Sequence, residues 1–292
     1  MHASGFLIID KPLGMTSRAA VDHAARWFPR GTRLGHTGTL DPLATGVLVI
    51  AVGAGTRLVD YVQRMEKTYE TGIRLGARSD TDDAEGTITP ATGGAPPTRQ
   101  AVESVLPEFI GNISQAPPVF SAAKVAGRRA YVLARRGADV DLAPRMVQIH
   151  DIRLARYEYP DLELEVHCGK GTYIRSLARD LGERLGCGGY VVSLRRTRIG
   201  PFKADAALPL EADGAAAREA LSDLSWALAD LPRVEVASAD AERFAHGQAL
   251  PWSGAPATGE VAVFDVQQKL VGAGRIDNQE LRPVKVFYQQ EQ

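Results

Sequence analysis

The sequence predicts an α+β protein: a mixed, largely antiparallel sheet with flanking helices, followed by a small C-terminal β unit. Three observations predict it. Strand and helix patterns interleave along the chain without regular βαβ units, which argues against a doubly wound parallel sheet. The texture changes after Pro232, where short strand patterns follow one another to the C-terminus. A chain of 292 residues that is 45% hydrophobic and 24% charged has enough apolar surface for a sizeable core, in one large unit or two unequal ones.

The elements follow in order. Phe6 to Asp10 reads as a short strand that stops at Lys11-Pro12. Ser17 to Phe28 reads as a helix with Ser17 as its N-cap. The apolar run Val47 to Gly53 predicts a buried strand, and Thr56 to Arg64 a short helix. Lys67 to Leu75 alternates as a strand does. Gly86 to Pro97, rich in Gly, Thr, Pro and Ala, reads as a mobile loop, and Thr98 caps a helix running to Phe109. Met146 to Tyr157 and Leu162 to Cys168 form two strands, with a hairpin turn around Pro160-Asp161. Tyr173 to Leu185 is the clearest amphipathic helix, with Ile174, Leu177, Ala178, Leu181 and Leu185 on one stripe. Gly189 to Ile199 returns as a strand. Lys203 to Leu231, rich in Ala, Asp and Glu, reads as a helix bridging two units, 1–231 and 232–292. The second unit holds strands at Val234–Val236, Gly259–Val266, Lys269–Ile276 and Pro283–Tyr288, and a short helix at Asp240–Ala245. Its middle strands turn at Gln267-Gln268.

Composition narrows the function classes. The two cysteines, Cys168 and Cys187, offer neither a disulfide framework nor paired metal-ligand spacing, so a reducing cytoplasm is expected. No basic segment followed by a long apolar stretch opens the chain, and the longest apolar run is far short of a membrane span. Net charge is −1, yet its distribution is uneven. Ser121 to Gly200 carries 15 Lys and Arg against 9 Asp and Glu, including Arg128-Arg129, Arg135-Arg136 and Arg195-Arg196-Thr197-Arg198. Such a local basic face suits a polyphosphate ligand, although solvated helix faces give the same pattern. Gly169-Lys170-Gly171-Thr172 lacks P-loop spacing, and Gly53-Ala54-Gly55 lacks the third glycine of a dinucleotide fingerprint. His167-Cys168 is an isolated pair, read as strand packing rather than a metal site.

The most informative segment is Leu34-Gly35-His36-Thr37-Gly38-Thr39-Leu40-Asp41-Pro42-Leu43-Ala44-Thr45-Gly46-Val47-Leu48. It holds one carboxylate, Asp41, and one basic neighbour, His36, among Gly, Thr and apolar residues. A lone acid on a turn just ahead of a core strand has the placement expected of a nucleophile, whereas an isolated Leu-Asp-Pro is usually a solvated turn.

The whole string resembles the active-site motif of the TruB family, pseudouridine synthases that modify the T-loop of tRNA. Further motifs match in order from about Gly5 to Phe287: Asp10-Lys11-Pro12, Lys67-Thr68-Tyr69, Ser79-Asp80-Thr81-Asp82-Asp83, Gln115 to Ala122, Gly169 to Asp180 and Leu194 to Gly200. The resemblance implies a pseudouridine synthase fold with a C-terminal PUA-like RNA-binding domain, signalled weakly by His246-Gly247-Gln248. It implies that Asp41 is the nucleophile and that Arg175 pairs with it. Tyr69 would lie against the uracil, Tyr173 and Leu194 would line its pocket, and His36 would hold the opened T-loop. The arginines after Leu194 would meet phosphates, and a basic insertion at about 124–145 would close over the RNA. Phe120 departs from the family's usual Tyr, which puts a hydroxyl-dependent role there in doubt. The chemistry needs no cofactor and no metal. The implied partner is the T-arm of tRNA, with no membrane and no obligate protein partner, and the enzyme is expected to be a cytoplasmic monomer. Two other readings remain open: a tRNA-binding or folding factor whose activity is secondary, and an RNA-guided relative working in a ribonucleoprotein.

Overall fold

The computed structural model describes residues 3–91, 95–121, 124–125, 128–129 and 142–287. Its strands are, in chain order, β1 (Gly5–Lys11), β2 (Leu34–His36), β3 (Ala44–Val52), β4 (Lys67–Leu75), β5 (Ala77–Ser79), β6 (Ile88–Pro90), β7 (Gly111–Gln115), β8 (Lys124–Val125), β9 (Arg128–Arg129), β10 (Arg145–Glu158), β11 (Asp161–Cys168), β12 (Gly189–Ile199), β13 (Phe202–Lys203), β14 (Arg233–Val236), β15 (Leu250–Pro251), β16 (Gly259–Asp265), β17 (Leu270–Asp277) and β18 (Glu280–Val286). The main sheet runs β1-β3-β12-β4-β11-β10-β7, with β2 beside β3 and β13 beside β12. Every pairing in it is antiparallel except β3 with β12. A second sheet, β14-β16-β17-β18-β15, forms the C-terminal β unit. The α+β architecture is therefore the one expected.

The alternation in β11 buries Leu162, Leu164, Val166 and Cys168 on one face. Together with Tyr69, Ile73 and Leu75 of β4, they pack under the helix Ile174–Arg184, which contributes Ile174, Leu177, Ala178 and Leu181. That helix sits close to the turn into β12: a Cβ on Gly182 would fall 2.2 Å from the Gly188 carbonyl carbon. Helix Ser17–Ala24 covers the β1–β3 end through Ala20, Val21 and Ala24 against Leu7, Ile9, Leu48 and Ile50. A third cluster joins Phe202 and Leu228 to Phe264 and Leu270, so the two sheets share apolar surface. No helix among the described residues is long and apolar enough to cross a membrane.

Several expectations are corrected. Thr16, not Ser17, caps the first helix, its hydroxyl accepting from Ala19 N at 3.1 Å. The helix ends at Ala24 and tightens into a 3-10 turn, Ala25–Trp27. The segment Thr56–Arg64 likewise begins as a 3-10 turn and becomes helical at Val59. Residues 203–231 form no continuous helix, only Gly214–Glu219 between turns. The reason lies in β1, whose outer edge would otherwise be unpaired. Leu208 N donates to Ile8 O at 2.9 Å and Ser222 N donates to Phe6 O at 2.8 Å, and a helix would withhold those groups. The span read as a mobile loop contains β6, which pairs with β5, while 92–94 lie outside the described residues. Most of the expected basic insertion also lies outside them, leaving only the β8–β9 backbone pairing within 122–141. The β16–β17 hairpin does turn at Gln267-Gln268: the Asp265 carboxylate accepts from Gln267 N and Lys269 N, and Gln268 takes φ 68°.

Candidate active site

Asp41 lies on the loop between β2 and β3, and the loop is tied down from several sides. Ser17 Oγ donates to Leu40 O at 3.0 Å and accepts from Leu40 N at 2.8 Å. Freed from capping, this hydroxyl fixes the residue immediately before Asp41. Lys11, fully buried, donates from Nζ to Pro12 O, Met15 O and Pro42 O at 2.8, 2.7 and 3.5 Å. Burial holds its ammonium down to about 8.

The Asp41 side chain is 38% exposed, and its Oδ2 meets Arg175 Nη2 at 2.9 Å. Arg175 occupies the first turn of helix Ile174–Arg184 and is only 5% exposed. Its Nη1 also reaches Asp83 Oδ2 at 3.1 Å and donates to Thr81 O at 3.0 Å. Nη2 donates to the backbone oxygen of Phe120 at 3.0 Å, a contact that needs no ring hydroxyl. One helical turn on, Arg179 pairs with Asp82 and Asp180, each at 2.9 Å, and donates to Ala116 O. Burial pushes the Asp82 carboxyl up to about 6 despite that partner.

Two connected openings share this ion pair. An inner cavity of about 390 Å³ is lined by Asp41, Tyr69, Tyr173, Arg175 and Leu194 among others. An outer cleft of about 550 Å³ is lined by Asp41, Arg175, His36, Asp83 and Phe120 among others. The structure thus gathers five of the six candidate residues around the inner cavity and puts His36 at the outer one. Tyr173 is clamped by Gln115, whose Oε1 accepts from Tyr173 N at 2.8 Å and whose Nε2 donates to Tyr173 O at 3.1 Å. Leu194 arrives through the single parallel contact of the main sheet, in register with Ala44 of β3.

Three family models match successive segments of the chain. Residues 26–174 match the TruB family pseudouridylate synthase N-terminal domain, and 175–223 match the tRNA pseudouridylate synthase B C-terminal domain. Residues 232–287 match the pseudouridine synthase II TruB C-terminal model. The chain belongs to the TruB pseudouridylate synthase family. It is 44% identical to the tRNA pseudouridine synthase B of Bradyrhizobium diazoefficiens, over 97% of this chain and 85% of that protein. It is 42% identical to the one from Ruegeria pomeroyi, over 97% and 95%. Among solved structures it resembles a chain of a Cbf5-Nop10-Gar1 complex at TM-score 0.74 and 26% identity, covering 98% of this chain and 84% of that one. A chain of an H/ACA ribonucleoprotein bound to a substrate RNA shares the fold at TM-score 0.75 and 24% identity, over 98% and 85%.

Other side chains of this TruB family member were missed or misread from sequence. Asp83 stood in a visible acidic block, yet nothing in the sequence says that it turns inward onto Arg175. Of the arginines after Leu194, Arg196 is only 2% exposed and so faces away from any phosphate. Arg195 is forked onto Asp10 at 2.9 and 2.8 Å. His167 and His150 flank Glu66 at 2.9 and 3.1 Å. Among the described residues, no group of three or more His, Cys, Asp or Glu is arranged to hold a metal ion.

Proposed function

We propose that the protein isomerises the T-loop uridine at position 55 of tRNA to pseudouridine, with Asp41 as nucleophile. The observation that carries this reading is the Asp41–Arg175 pair, placed where a deep cavity meets an open cleft. A base can enter that cavity only if it leaves the RNA stack, at a cost of about a few kcal/mol. Asp41 attacks C1′ of the ribose or C6 of the uracil. The N1–C1′ bond breaks, a C5–C1′ bond forms, C5 loses its proton and N1 ends protonated, so the reaction needs no outside reagent. Arg175 holds and orients the Asp41 carboxylate through its fixed charge. Tyr69 and Tyr173 hold the base, Leu194 shapes the pocket floor, and His36 meets the opened loop at the outer cleft. The Tyr69 hydroxyl assists removal of the C5 proton.

In this reading residues 1–231 are the catalytic unit and 232–292 a PUA-like unit that binds the tRNA. The separate sheet and core of the second unit support that division. The enzyme acts as a cytoplasmic monomer on bare tRNA. Purified protein, with no cofactor or partner, should release tritium from a transcript labelled at uridine C5, at the T-loop uridine only. Release only when a guide RNA or protein is added would favour the RNA-guided relative. Tight binding without release would favour the folding-factor reading.

A further inference from the structure

We propose that Arg196 is a positioning residue for the reaction: it locks the Tyr69 phenol and the Asp41 loop into one frame. The inference rests on the reading of Tyr69 given above. In the sheet register, Arg196 of β12 lies directly between Tyr69 of β4 and Gly46 of β3. Residues directly opposite in an antiparallel pair share a face, so Tyr69 and Arg196 lie on one side of the sheet. Gly46 takes φ 94°, and a Cβ there would fall 2.3 Å from Arg196 O, so only glycine lets β3 come so near. Arg196 then reaches three places. Nε donates to Val47 O at 2.8 Å and Nη2 donates to Gly38 O at 3.2 Å on the Asp41 loop, and its charge acts on the Tyr69 phenol beside it.

Packing alone does not account for this side chain. It is 2% exposed, and among the described residues no carboxylate forms an ion pair with it. A buried, uncompensated charge is costly, and a leucine or methionine would fill the same space more cheaply. The cost is visible nearby, since Arg196 adds to the forces that push the buried Lys11 and Lys67 down. Arginine has donors and no acceptor, so its polar partners are oxygens, here those of Val47 and Gly38, while Tyr69 on the same face lines the inner cavity. Burial raises the Tyr69 phenol and Arg196 opposes that rise; Cys168 and Asp41 are the other titratable groups facing it. The guanidinium therefore supplies a fixed frame in which the Tyr69 side chain and the Asp41 loop are held together.

The experiment combines single-turnover tritium release with NMR of protein labelled at tyrosine Cζ, where the signal missing from Tyr69→Phe identifies Tyr69. Arg196→Gln should lower kcat about a hundredfold, leave Kd for tRNA within about twofold and displace the Tyr69 Cζ signal. Adding Arg196→Gln to Tyr69→Phe should slow the enzyme by less than the product of the two single losses, because part of the Arg196 effect runs through Tyr69. If Arg196→Gln does not fold, Arg196→Lys keeps a buried cation that cannot reach both Val47 O and Gly38 O. It should cost about tenfold in kcat with Kd unchanged and the Tyr69 signal displaced. An unmoved Tyr69 signal, or losses that multiply independently, overturns the inference even if Tyr69→Phe is inactive. Full activity of Tyr69→Phe would instead remove Tyr69 from the reaction, and this inference would fall with that reading.

Discussion

Two buried guanidiniums reach the Asp41 loop, and their surroundings differ. Arg175 touches two carboxylates and two backbone oxygens. Arg196 donates to two backbone oxygens and lies opposite Tyr69 in the sheet. Around Arg175 there are two negative charges for one positive, so its cation is fully used in holding anions. Around Arg196 the positive charge stands unbalanced, and what it supplies is direction. The first environment pairs charges and the second sets a geometry. Each can be broken separately.

The largest effect belongs to the group that Arg175 serves. Asp41→Asn keeps the shape and removes the nucleophile, so tritium release should fall by about four orders of magnitude or more. Filter-binding Kd for tRNA should stay within about twofold, because phosphate contacts dominate affinity. Substantial turnover by this variant would remove Asp41 from its proposed role.

Arg175→Met comes next and tests the charge argument directly. It leaves the buried Asp83 and the half-exposed Asp41 facing each other without a cation. Breaking a buried pair by removing one partner costs about 3–5 kcal/mol, so urea unfolding should show a loss of that order together with near-complete loss of activity. Asp83→Asn should be milder, about ten- to a hundredfold in kcat, because Arg175 keeps Asp41 while losing one of the groups that aims it. Equal losses in Asp83→Asn and Asp41→Asn would mean that the two carboxylates work as one unit, and the division between charge pairing and geometry would need redrawing.

The two environments were unequally legible in the sequence. Local periodicity placed Tyr69 and Leu194 on strands and Arg175 on a helix, but only the resemblance marked them as site residues, because the pattern alone fits core packing and an exposed arginine equally well. Arg196 sits on the same well-read strand, yet its basic neighbours Arg195 and Arg198 suggested a phosphate-facing surface. Only the pairing of β12 with β3 and β4 at once puts it in the interior, and pairing between distant segments leaves no local mark. Asp83 failed for the same reason, as did Ser17, whose capping pattern was satisfied by Thr16 one residue earlier. Residues 203–231 read as helical because Ala, Asp and Glu suit one, but the open edge of β1 outweighed that weak preference.

The smallest effect expected is a pH dependence that reports the unbalanced charge itself. Lys11 and Lys67 are each held down to about 8 from 10.5, chiefly by burial and in part by Arg196. Between these values the unfolded chain binds protons that the folded protein has released, so stability rises with pH there, and the whole penalty remains below pH 8. Above pH 9 the opposite linkage enters, because burial pushes Cys168 up to about 11 and raises Tyr69, and the folded state then keeps protons that the unfolded chain loses. The clean window is therefore pH 8 to 9, where urea unfolding should show a gain of about 1–2 kcal/mol from the two lysines together. Arg196→Gln removes one of the forces acting on both lysines, so their folded values should move back towards 10.5 and the gain should shrink. The same gain in both proteins would mean that the Arg196 charge is not felt by its neighbours. Its environment would then be as well balanced as that of Arg175, and the contrast between the two guanidiniums would lose its physical basis.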